Sequence, residues 1–148
     1  MRRTFSRDEE VRLSRLSRRK MEDRLDAGAG ACWLAQPKIA RIAGESLKHF
    51  DEMRYRLFAW CVMPNHVHVL FQPLDQHDLA GIVHTWKSYS AKAANTALRR
   101  SGEFWGREYF DHIVRNGIEF GRITQYILKN PEKAGLRNWP WVGCSPGL

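Results

Sequence analysis

Residues 54–73 read RYRLFAWCVMPNHVHVLFQP, two runs dense in apolar and β-branched side chains on either side of Met63-Pro64-Asn65. Runs of this kind, separated by a turn-forming Pro-Asn, predict strands over residues 54–63 and 66–73. A connection this short makes them antiparallel neighbours. Side chains alternate between the faces of a strand, so His66 and His68 point to one side while Val67 and Val69 point into the core. Two imidazoles on one face can share a divalent ion. The same spacing also suits two ordinary polar residues on a half-exposed strand, and the pair alone does not choose.

Outward from this hairpin the period changes. Pro37, tolerated in a first helical turn, opens a helix in which Ile39, Ile42, Ala43, Leu47 and Phe50 recur at helical spacing. Residues 78–100 are again helical, with Ile82, Trp86, Tyr89, Ala93 and Ala97 on one side. Lys87, Lys92, Arg99 and Arg100 are left for solvent or phosphate. Residues 109–115 read as a third strand, and 118–130 as a last helix with Phe120, Ile123 and Ile127 turned inward. Pro131 is expected to end or interrupt that helix, because the residue before a proline resists helical angles. Residues 1–26 are densely charged, and Ser6-Arg7-Asp8-Glu9 reads as a capping box opening a lightly packed helix that Gly28 and Gly30 end.

The order helix–strand–strand–helix–strand–helix predicts an α+β fold, one antiparallel sheet with helices on one face. A ferredoxin-like arrangement is the natural candidate, but it requires one more strand ahead of Pro37, and none is evident. The chain reads as a single domain over residues 1–148. It comprises a charged helical extension (1–35), a core (36–141) and a short irregular tail (142–148).

Lys and Arg number 24 against 16 Asp and Glu, a net charge of +8 in 148 residues. That balance favours a polyanionic partner, since each neutralised phosphate releases counterions. The three cysteines (Cys32, Cys61 and Cys144) form no CxxC pair, which fits reduced thiols better than a disulfide framework. No apolar run approaches membrane-spanning length and no signal peptide is visible at Met1-Arg2-Arg3-Thr4, so a cytoplasmic protein without membrane contact is expected.

Tyr126 and Asn130 lie four residues apart and share a helix face. A tyrosine hydroxyl can attack a phosphodiester and become a phosphotyrosine. An amide oxygen from Asn130 can complete the coordination of a cation that steadies the phosphate. Spacing also permits the plainer reading, Tyr126 as packing and Asn130-Pro131 as a helix stop. Trp105 beside Arg107 suits either a base platform or a core. Arg107 and Arg115 join Lys87, Lys92, Arg99 and Arg100 as a DNA-contacting set, although a charge cluster is as often a solvated face.

Residues 59–70, AWCVMPNHVHVL, resemble the signature of REP-associated tyrosine transposases, relatives of the small single-tyrosine HUH transposases. Residues 126–136, YILKNPEKAGL, resemble the nucleophile segment of that family. Between them, residues 104–112, FWGREYFDH, and Val114-Arg115 fit in order and spacing. The resemblance runs from about Leu47 to Trp141. It implies a ferredoxin-like nuclease fold and a Mg2+ or Mn2+ ion held by His66 and His68, with Asn130 as third ligand and Tyr126 as nucleophile. It also implies single-stranded DNA with palindromic hairpins as the partner, cleaved through a 5′-phosphotyrosine intermediate by a monomer or homodimer. The family pattern opens with a strand beside the histidine strand. Here that strand is expected to be missing, leaving an open edge.

Two other readings stand beside this one. A hairpin-binding protein that has lost catalysis would keep the basic surface. An unrelated metallohydrolase would need another ligand at motif spacing, such as an aspartate two residues after His68, where this chain has Leu70.

Overall fold

Met21–Ala27, MEDRLDA, is a strand (β1) and not the end of a charged helix. The computed structural model describes residues 20–27 and 31–146, with backbone alone at Arg107, Glu108 and Tyr109. The capping box at Ser6 and the glycines at 28 and 30 lie outside the described residues. Burial along β1 alternates strictly: Met21, Asp23, Leu25 and Ala27 are buried, while Glu22, Arg24 and Asp26 are partly exposed. Its charges conceal an ordinary period of two, because Asp23 occupies an inward position that apolar residues usually fill.

A short turn of 3-10 helix at Trp33–Ala35 follows, then helix α1 (Pro37–His49) and strands β2 (Tyr55–Met63) and β3 (His66–Pro73). Helix α2 (Leu79–Leu98), strand β4 (Trp105–Ile113), helix α3 (Gly117–Lys133) and strand β5 (Val142–Cys144) complete the order. The sheet runs β4-β1-β3-β2-β5, antiparallel throughout. β1 therefore fills the place beside the histidine strand that the sequence left empty, and β3 is paired along both sides. The tail expected to be irregular supplies the edge strand β5.

The helices cover both faces of the sheet, not one. α1 and α2 bury Leu47, Val83 and Trp86 against Leu25, Val62, Val67, Val69 and Phe71. α3 buries Ile123 and Ile127 against Cys61, Met63 and Leu70 on the other side. Each such aliphatic side chain contributes about 1.5–3 kcal/mol when taken out of water. A bulge in β2 between Leu57 and Ala59 adds one residue. It turns Phe58 toward α3, where its ring meets Phe120 edge-on at 5.2 Å. Tyr89, expected in the core, is exposed instead; Ser90 and Ala94 take the buried positions.

Local signals set the helix ends. The Asp78 side chain accepts a hydrogen bond from the Gly81 N–H at 2.8 Å, capping α2. Asn116 does the same for α3, accepting from the Glu119 N–H at 2.9 Å. Pro131 does not stop α3, which continues to Lys133 with the proline buried. The helix closes instead at Gly135, where φ is +77° and the Leu136 N–H donates to the Pro131 carbonyl. Among the described residues no helix is long and apolar enough to cross a membrane.

Candidate active site

β3 carries His66 and His68 on the face beneath α3, with ring centroids 4.8 Å apart and planes at 87°. The strand registers place Asp26 opposite His66, and Arg24 and Cys61 on either side of His68. His66 is half-buried, and its Nδ1 lies 2.7 Å from the Asn65 Oδ1. His68 is 4% exposed, and neither ring nitrogen has a hydrogen-bond partner among the described residues. A buried donor or acceptor left without a partner is costly, so its presence needs a reason.

Burial is the main cause that lowers both imidazoles, with the Arg24 guanidinium adding to it. His68 falls to about 4, His66 also contributing. A neutral imidazole with an unshared lone pair is the form that ligates a metal. Beside it, burial pushes the Cys61 thiol up to about 12, which leaves it a protonated packing group.

α3 brings Tyr126 to the same place. Its ring meets His68 edge-on, centroids 5.5 Å apart, and the side chain is 44% exposed, open to a substrate. Lys133 holds its ammonium 6.0 Å from the Tyr126 ring centroid. Phe120 touches Phe58 far from the histidine end of β2, and Tyr126 touches His68 nearer to it. α3 therefore runs toward His66, and Asn130 follows Tyr126 by one turn in that direction. Among the described residues no cluster of three or more His, Cys, Asp or Glu forms, so the two histidines gather no further ligand of those types.

The basic set lies elsewhere. Lys87 and Lys92 belong to α2, which packs on the face opposite the histidines. Lys87 donates to the Gly106 carbonyl at 3.0 Å. Arg99 forms the left-handed end of α2, and the Arg100 guanidinium sits 4.2 Å from the centroid of the Trp33 ring. Trp105 is 8% exposed and donates its indole N–H to Ser90 Oγ at 2.8 Å, so it is a core residue and not an exposed platform. Arg115 is exposed just before α3, its backbone N–H held by Glu119. The side chain of Arg107 lies outside the described residues.

Sequence reasoning missed Arg24 and Asp26, which flank the histidines and form an ion pair at 3.0 Å. Met21, Leu25 and Ala27 at even spacing were the available signal, broken at Asp23 by a charge in an inward position.

Residues 37–130 match the family described as Transposase IS200 like. A protein of Haemophilus influenzae described as a REP-associated tyrosine transposase is 24% identical over 101 residues. That similarity spans 59% of this chain and 57% of the relative, so the chain matches little more than half the relative's length. A solved REP-associated tyrosine transposase, bound to a REP hairpin, shares the fold with a TM-score of 0.69 at 19% identity. The likeness covers 96% of this chain and 80% of that one.

Proposed function

Since this chain belongs to the IS200-like transposase family, we propose that it cleaves and rejoins single-stranded DNA beside palindromic hairpins, with Tyr126 as nucleophile. The observation that carries the proposal is His68: buried and without a partner for either nitrogen among the described residues, it faces His66 on one side and Tyr126 on the other.

The reaction balances simply. The Tyr126 oxygen forms a bond to the scissile phosphorus and the bond to the 3′ oxygen breaks. The phenol gives up its proton, and the departing oxygen takes one to become a free 3′-hydroxyl. The product is a 5′-phosphotyrosine, whose energy is close to that of the diester it replaced, so a 3′-hydroxyl can attack it in turn and rejoin strands. Tyr126, standing one turn before Asn130 on a helix anchored by Ile123 and Ile127, is held while the strand enters. His66, His68 and Asn130 would hold a Mg2+ or Mn2+ ion, which supplies charge neutralisation at the phosphate. The Lys133 ammonium adds positive charge beside the Tyr126 ring, while the Arg24 guanidinium beside His68 is paired with Asp26.

The test uses a hairpin oligonucleotide from extragenic palindromes of the source genome, labelled 5′ or 3′, incubated with Mg2+ and run on a denaturing gel. A covalent protein–DNA band with wild type and none with Tyr126→Phe is expected. Tight hairpin binding with no covalent band from wild type would instead identify a hairpin-binding protein without catalysis.

A further inference from the structure

α3 packs over β2, β3 and β5, and its first turn reaches β4 at the His112–Glu119 pair, while Phe110 on the β1–β4 half of the same sheet face stays exposed. In register across that half stand Phe110, Arg24 and His68, one on each of three adjacent strands. Cross-strand partners share a face, so all three side chains look toward the same side as Tyr126. Phe110 lies two strands from His68, about 10 Å at ordinary strand spacing. It is 68% exposed, on an edge strand where an apolar ring gains nothing from packing. A single exposed ring is ordinary by itself; what sets Phe110 apart is its register with Arg24 and His68 on the face that carries Tyr126. Arg24, between Phe110 and His68, is fixed by the bond from its Nε to Asp26 Oδ1 at 3.0 Å.

We propose that Phe110 and Arg24 form a nucleotide subsite beside the two histidines, in which a base of the single strand stacks on the Phe110 ring and its phosphate meets Arg24. The chemistry selects nucleic acid over an apolar peptide. A guanidinium in line with an aromatic face pairs a phosphate with a base plane, and every base has a π-face to offer. The overall charge of +8 favours the same polyanion. The His112–Glu119 pair and Glu22 bound the open face at one end, and at the other Asp26 holds the Arg24 guanidinium by its Nε, leaving its terminal nitrogens for phosphate. Because stacking is insensitive to base identity, the subsite positions the strand and does not read its sequence.

The subsite rests on the function proposed above, and its test separates the two. The probe is a fluorescent hairpin oligonucleotide with a single-stranded tail of about ten nucleotides, together with a series carrying one abasic site at successive tail positions. Loss of one stacked base weakens binding roughly five- to a hundred-fold. Phe110→Ala is expected to weaken binding by that factor, with an unchanged melting temperature and an unchanged salt slope, and Phe110→Trp to restore it. One abasic position should reproduce the loss and be silent in Phe110→Ala. Arg24→Gln is expected to flatten the log–log salt slope by about 0.7, one single-strand phosphate contact. Wild-type binding and cleavage with no effect of Phe110→Ala, or equal losses at every abasic position, would overturn the subsite alone. Failure of wild type to bind the hairpin would overturn both.

Discussion

Replacing Asp23 with asparagine is expected to stabilise the protein, although aspartate stands in the middle of a central strand. Asp23 is fully buried between Val69 of β3 and Asp111 of β4, and neither carboxylate oxygen has a hydrogen-bond partner among the described residues. Burial pushes its pKa from 3.8 up to about 8, Asp111 and Glu22 add to the rise, and only Lys87 opposes it. The native state therefore holds a proton that the unfolded chain releases above about pH 4. Stability is fully present below about pH 4 and declines as pH rises toward 8, by at most about 1.4 kcal/mol per unit. An asparagine side chain has the same shape with no proton to hold, and removes a cost of at most about 4 kcal/mol at about pH 7. Its own unpartnered amide reduces the gain, to about 2–3 kcal/mol. Urea unfolding of wild type and Asp23→Asn at about pH 5, 7 and 8.5 measures this, with the curves converging at low pH and separating as pH rises. If Asp23→Asn is instead less stable at every pH, the carboxylate is ionised and paired with Lys87, which refutes the reasoning from burial.

Four further outcomes follow from the geometry. His66→Ala or His68→Ala should abolish cleavage while hairpin binding is largely kept, and a chelator should reproduce this; cleavage by either variant in metal-free buffer would remove both histidines from the site. Lys133→Gln should flatten the salt slope of binding by about 0.7, whereas Lys92→Gln on the opposite face should not; the reverse result would place the strand across α2. Gly143→Val should cost about 1–3 kcal/mol in thermal or urea melts, because a Cβ there would stand 3.0 Å from the Trp60 ring. A neutral substitution would show that β5 is not held against β2. Tyr126→Phe should leave the melting temperature nearly unchanged, since the side chain is 44% exposed; a large drop would make Tyr126 a packing residue.

The hairpin was legible because its two runs are long, apolar and closed by Pro64-Asn65, and β3 has the bounds its sequence gives, His66–Pro73. The alternation that put both histidines on one face needed nothing beyond strand geometry. β1 was hidden by Glu22, Asp23, Arg24 and Asp26, which imitate a solvated helix. Its burial comes from β3 and β4 on either side, and a local window contains neither. β5 is three residues long, too short for a period to register. Trp105 was ambiguous in sequence, since only the fold brings Ser90 to its indole. Arg24 went unnoticed as a site residue for the reason that β1 did.

The central claim is that Tyr126 forms the bond to DNA. Digesting the trapped protein–DNA adduct with protease and nuclease, then mapping the modified peptide by mass spectrometry, tests it most directly. A nucleotide carried through a 5′ phosphate on Tyr126 is the predicted result. An adduct on Tyr89 or Tyr109 would contradict it, as would cleavage that leaves no adduct at all.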